Sequence, residues 1–160
     1  MEADSRLLIL GSFPSVKSRE EGFFYGHPRN RFWPVLAAVF EDEPPRTLDE
    51  KRAFLRRHRV ALHDVIERCS IVGSADGSIR DVEPADIAAI LARGQIGGRI
   101  FTNGQKAAAL YQKYIFPALG LPAAALPSTS PANAAASLAA LTERWRAALA
   151  ENAEIRIKKA

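Results

Sequence analysis

The 160-residue chain holds a single cysteine, Cys69, and so cannot close an internal disulfide. Its three histidines and that cysteine do not fall at zinc or iron–sulfur spacing, so neither a metal nor another cofactor is expected in the fold or its chemistry. Long apolar runs are missing too: Leu7 to Leu10 falls far short of the ~20 residues a spanning helix needs, and no membrane association is expected. Glu2 and Asp4 spoil the basic start of a signal peptide, which leaves a cytoplasmic protein as the expectation. No Gly-x-Gly-x-x-Gly follows a strand, and neither Gly-Lys-Ser/Thr nor Gly-x-Ser-x-Gly occurs. The usual dinucleotide, nucleoside-triphosphate and serine-hydrolase modes therefore lack their signatures.

What is present is 48% hydrophobic and 25% charged residues, the profile of one globular domain spanning 1–160. Twenty-two basic against 18 acidic residues give +4, which permits a polyanionic partner without requiring one. The charge is uneven. Arg46 to Arg68 holds seven Arg/Lys against four Asp/Glu, whereas Gln105 to Thr142 carries only Lys106 and Lys113. The basic stretch is either a polyanion-facing surface or a solvated helix face.

Hydrophobic periodicity alternates short apolar strands with amphipathic helices, the pattern of an α/β fold with a mainly parallel sheet between helical layers. Four strands are expected: Arg6 to Gly11, Val60 to Val65, Arg99 to Asn103 and Pro122 to Leu126. Asn30 can cap a helix carrying Phe32, Leu36, Val39 and Phe40 on one face, and Thr47 with Glu50 forms a capping box. Pro84 can open a helix that ends before Gly94, and Gly104 leads into one from Ala107 to Ile115. The last helix is expected to start with Ser130 as cap and Pro131 at its first position, and to run through Leu138, Leu141, Trp145 and Leu149. The tail from Glu151 reads as an edge strand or a frayed basic end.

Ligands of an open parallel sheet bind beyond the carboxyl ends of its strands, so the informative segments are those that follow each strand. They are Gly11 to Ser15 with the loop ending in Tyr25 to Asn30, then His63-Asp64, Asn103-Gly104, and Pro127 to Asn133. The first loop mixes Phe23, Phe24 and Tyr25 with Lys17, Arg19 and Arg29. Aromatics beside cations suit a nucleobase next to a phosphate, or else pin the loop onto the core. Ser128, Thr129 and Ser130 offer hydroxyls and N–H groups to a phosphate, and Ser130 serves equally as a helix cap. His63 reads as a core histidine in preference to a site residue, His58 as exposed at a helix end, and Cys69 as a buried thiol.

Three segments carry a family resemblance: Gly11-Ser12-Phe13-Pro14-Ser15, Tyr25-Gly26-His27-Pro28-Arg29-Asn30-Arg31-Phe32-Trp33, and Leu126-Pro127-Ser128-Thr129-Ser130-Pro131-Ala132-Asn133. They resemble the signature segments of the uracil-DNA glycosylase superfamily. The His-Pro-x-Asn-x-Phe-Trp block resembles the mismatch-specific uracil branch and, more closely, the hypoxanthine-DNA glycosylase branch called family 6. The resemblance implies a three-layer α/β/α sandwich around a four-stranded sheet, acting as a monomer on DNA that contains a deaminated base. Such a protein would sit with the bacterial nucleoid, or in the nucleus of a eukaryote.

One departure from the pattern stands out. Phe13 occupies the first-motif position where mismatch-specific members carry an asparagine, and the aspartate that classical uracil enzymes place beside it is missing. The hypoxanthine branch shares that departure and keeps an asparagine in the His-Pro-x-Asn block, which maps onto Asn30. The resemblance thus implies Asn30 as the catalytic residue, holding water or the leaving base, unless it is a helix cap alone. Ser12, Phe13, Tyr25, His27, Asn103 and Ser128 would meet the extruded base, with Phe13 stacking on it and Asn103 either reading its edge or only making a turn. Ser15, Lys17, Arg29, Ser128, Thr129 and Ser130 would contact the DNA backbone. The implied activity is hydrolysis of the bond between deoxyribose and hypoxanthine. The alternatives are a uracil or xanthine glycosylase, or a DNA-binding module that has lost catalysis.

Overall fold

Strand β1, Leu7–Gly11, is apolar because both of its faces are covered. In the computed structural model, which describes residues 3–13, 23–71 and 79–159, it pairs in parallel with β2 (Val60–Asp64) on one side and β5 (Ile100–Asn103) on the other. A short β6, Ala124–Leu126, extends the sheet, giving the order β2-β1-β5-β6. Residues 14–22, including Ser15 and Lys17, lie outside the described residues.

Side chains of successive strand residues alternate between two cores. Leu7 and Ile9 pack with α1 (Phe32–Val39), α2 (Leu48–His58) and α6 (Leu138–Lys159), around the fully buried Phe32, Phe54 and Trp145. Leu8 and Leu10 pack on the other face with α3 (Ile87–Arg93) and α4 (Gln105–Tyr114), through Ile87, Tyr111 and Ile115. The result is the three-layer α/β/α arrangement. A one-turn helix α5, Phe116–Leu119, follows α4.

Both β1-to-β2 and β1-to-β5 are direct neighbours although the chain visits β2 first, so the direction of winding reverses at β1. A crevice at such a switch point, beyond the strands' carboxyl ends, is where an α/β sheet binds ligands.

All four expected strands are found, trimmed at their ends. Val65 leaves β2 and donates its N–H to the Gly11 carbonyl at 2.8 Å. The expected pattern lacked a fifth and sixth strand: β3 (Ile66–Ile71) and β4 (Ile79–Pro84) form an antiparallel hairpin with two register irregularities. Those irregularities break the alternation by which a strand is recognised. The hairpin also changes the reading of Pro84, which ends β4; helix α3 is opened by Asp86, whose Oδ1 accepts from the Ala89 N–H at 3.1 Å. Cys69 lies on β3.

The last helix starts at Leu138, not Pro131, for a physical reason. A helix through 131–137 would use its own carbonyls, but the Arg31 guanidinium donates to those of Ser130 (3.2 Å), Asn133 (2.8 Å) and Ala136. Ser137 then caps α6 by accepting from the Ala140 N–H at 3.1 Å. The tail is helical through Lys159 and forms no edge strand. His58 is not an exposed helix end: it stacks on Phe40 at 4.3 Å and bonds Asp42 at 2.7 Å. Hydrogen bonds from His58 and then Arg57 hold the Asp42 carboxyl well below the usual carboxylate range.

The capping box is formed as expected, with Thr47 accepting from the Glu50 N–H. Thr47→Ala should therefore lower unfolding free energy by about 1 kcal/mol. Trp145→Ala, which empties the centre of one core, should lower it by about 3–5 kcal/mol. Urea titration followed by circular dichroism checks both, and equal losses would contradict this division of the core.

Candidate active site

At the end of β1 a glycine leaves room for two polar side chains. A Cβ on Gly11 would lie 2.5 Å from Oδ1 of Asp64 and 3.3 Å from the Tyr25 hydroxyl. Asp64 is the β2 residue in register with Gly11, so its carboxylate lies directly across the first motif's backbone. Beyond Gly11 the Ser12 carbonyl accepts from the Ile66 N–H at 3.0 Å, and Phe13 packs against the core formed by Leu8 and Leu10. The Lys106 ammonium sits over the Phe13 ring at 4.5 Å, at the first turn of α4.

The aromatic loop is pinned onto α1. Tyr25, at a positive φ of 54°, stacks on Phe32 at 3.9 Å, Phe23 stacks on Trp33 at 6.2 Å, and Trp33 Nε1 donates to the Phe24 carbonyl. Pinning does not remove these rings from the crevice, which Phe23, Phe24 and Tyr25 all line. The Tyr25 hydroxyl is buried with no hydrogen-bond partner among the described residues. Burial first, and then the negative charge of Asp64, push its ionisation far above the usual tyrosine value; the nearby Asn103 amide acts the other way.

Thr129 joins two of the sheet-edge segments. Its hydroxyl donates to Asn30 Oδ1 at 2.8 Å and accepts from Asn103 Nδ2 at 2.9 Å. Its N–H donates to Asn103 Oδ1 and its carbonyl accepts from the Arg31 N–H. The residue is fully buried. Thr129 therefore has no group left with which to grip a phosphate, contrary to the role expected for it. Asn103, holding Thr129 through both ends of its amide, is a buttress as well as part of the wall.

Asn30 Oδ1 accepts a second hydrogen bond, from the Phe32 N–H at 3.0 Å, and so satisfies the first N–H of α1; the cap position itself falls to Arg31, not to Asn30 as expected. With the oxygen occupied twice, the amide's N–H pair, which has no partner among the described residues, is what Asn30 offers a ligand. Ser128 and Ser130 use their hydroxyl oxygens to accept from the N–H groups of Ser130 and Ala132. Gly104, at φ 94°, lets the two strand ends approach, since a Cβ there would meet the Ser128 Cβ at 3.0 Å.

These residues enclose a crevice of about 790 Å³, within the roughly 300–1,000 Å³ range of small-ligand sites. Ser12, Phe13, Tyr25, His27, Asn30, Asn103, Ser128 and Ser130 are all brought to it. Arg29 is exposed and lies off its lining. Four titratable residues of the lining had been given no role in the site: His63, Asp64, Glu67 and Lys106. His63 faces the crevice and bonds Glu67 at 2.9 Å, so it is not a core histidine. The parallel register of β1 with β2 was the available signal for Asp64; Glu67 had none, because the hairpin that carries it was not anticipated. No helix of the described residues is long and apolar enough to cross a membrane.

The family model described as the uracil DNA glycosylase superfamily matches residues 1–151. The chain belongs to that superfamily. A hypoxanthine DNA glycosylase of Methanosarcina acetivorans is 32% identical over 134 residues, covering 83% of this chain and 84% of the relative. One of Methanosarcina barkeri is 32% identical over 84 residues, 52% of this chain and 53% of the relative. A solution structure from M. acetivorans, assigned as a uracil DNA glycosylase, superposes with a TM-score of 0.73 at 28% identity, covering 91% of this chain and 92% of the other. Described residues of all three signature segments thus line one crevice.

Thr129→Val keeps the shape but strips a buried hydroxyl from both Asn30 and Asn103. It should cost about 1–3 kcal/mol of stability. Denaturant unfolding checks this; a variant as stable as the parent would show that the tie carries no energy.

Proposed function

We propose that the crevice receives hypoxanthine turned out of a DNA duplex, and that the protein hydrolyses its bond to deoxyribose and leaves an abasic site. The observation that carries this reading is Asn30, fixed at the crevice with its oxygen occupied and its N–H groups to spare. Breaking an N-glycosidic bond puts positive charge on the sugar and negative charge on the departing base. A fixed donor that meets the base only as that charge develops lowers the barrier. Asn30 accordingly serves the leaving base. It is not an acceptor for the attacking water, since such a role needs a vacant oxygen.

The names of the two Methanosarcina relatives support the choice of base. Phe13 supplies an aromatic wall on which a flipped purine can stack, and Lys106 over that ring brings a cation toward the charge the base acquires. Tyr25, His27, Ser12 and Asn103 complete the base-facing wall, and Ser128 and Ser130 present hydroxyls to the flanking strand. Arg29, together with Ser15 and Lys17 of the adjoining loop, serves the DNA backbone. The chain acts as one domain and one copy per damaged base, in the nucleoid or nucleus where DNA is held.

The test is incubation with duplexes holding one hypoxanthine, uracil or xanthine, followed by alkali to break abasic sites. Breaks at hypoxanthine are expected, reduced roughly 100- to 1,000-fold in Asn30→Ala with DNA binding retained. Salt-sensitive binding without breaks at any base would mark a lapsed enzyme, and breaks confined to uracil or xanthine would reassign the base.

A further inference from the structure

Hydrolysis releases a proton from the water, and neither Phe13, which is apolar, nor Asn30, whose Oδ1 is already taken by Phe32 and Thr129, can receive it. The crevice lining contains two carboxylates, Asp64 and Glu67. Glu67 is half exposed and paired with His63 on the outer wall. Asp64 is placed otherwise. It ends β2 opposite Gly11, and its Oδ1 lies where a side chain on Gly11 would begin. A carboxylate borne by the neighbouring strand thus overlies the backbone of the first motif, on the strand at which the sheet reverses its winding. A second polar atom converges there, the buried Tyr25 hydroxyl, which lacks a partner among the described residues and lies at 3.3 Å from the same point.

Resting on the glycosylase reading above, we propose that Asp64 is the catalytic residue that holds the attacking water and takes its proton, with the Tyr25 hydroxyl as a second anchor for that water. The water oxygen bonds C1′ of the deoxyribose as the bond from C1′ to the base nitrogen breaks. The bonding electrons leave with the base, whose charge Asn30 offsets and which gains a proton from solvent. The water's lost proton passes to Asp64 and on to solvent, so one water is consumed for each base released. The carboxylate's charge also favours the cationic sugar. Position 11 is glycine, on this account, because the acid works from across it.

The test is single-turnover cleavage of a hypoxanthine duplex across the acid-to-neutral range by wild type, Asp64→Asn and Tyr25→Phe. Wild type should lose rate as the carboxylate protonates. Asp64→Asn should be slower by roughly 100- to 10,000-fold, bind the duplex as wild type does, and lack that acid limb. Tyr25→Phe should be slower and no less stable, since it removes a buried hydroxyl that has no partner to lose among the described residues. Asp64→Asn cleaving within about twofold of wild type, or keeping the acid limb, overturns the assignment. Should that variant not fold, the wild-type profile decides alone, because a rate flat through the carboxylate range overturns it equally. Wild type inert on every base overturns the glycosylase reading and this proposal with it; wild type active with an unaffected Asp64→Asn overturns only the proposal.

Discussion

A single buried hydroxyl joins the two halves of this crevice. Thr129 sits beyond the last strand, Asn103 at the end of β5 and Asn30 before α1, far apart in sequence. Three side-chain hydrogen bonds of about 3 Å connect them in one chain. Inside a low-dielectric interior such a chain is strong when every member is satisfied and costly when one is not. The geometry of Asn30 is therefore inherited from residues on two other segments.

That inheritance fixes Asn30 at both the start of α1 and the crevice wall. The Phe32 N–H fixes the amide oxygen from one side and Thr129 from another, so the amide plane has little freedom left. Preorganisation of this kind costs nothing at the moment of reaction because the folding energy has already met it. The carboxylate of Asp64 reaches the same crevice from a different strand, so its placement does not depend on this chain of bonds.

The strands and helix caps were legible in the sequence wherever the signal is local. Four apolar runs gave the sheet, Thr47 with Glu50 gave a capping box, and strand-end polar residues marked the crevice edge. What escaped depends on distant partners. The hairpin β3–β4 carries bulges that hide its alternation. Pro131 looks like a helix start, yet its segment's carbonyls are claimed from a hundred residues away by Arg31. His58 and Asp42 find each other across a helix, and His63 turns outward because Glu67 waits there. Among the described candidate residues, all but the exposed Arg29 reached the crevice. Thr129 did so only as an internal brace, a role that spacing alone does not separate from phosphate binding.

Arg31 grips its loop by carbonyl oxygens of Ser130, Asn133 and Ala136 and by none of their side chains. Every residue type carries the same carbonyl, so this hold does not depend on which side chains stand at 130, 133 and 136. A lysine at position 31 has three donors but on one nitrogen, without the planar fork that lets Arg31 reach these carbonyls from two.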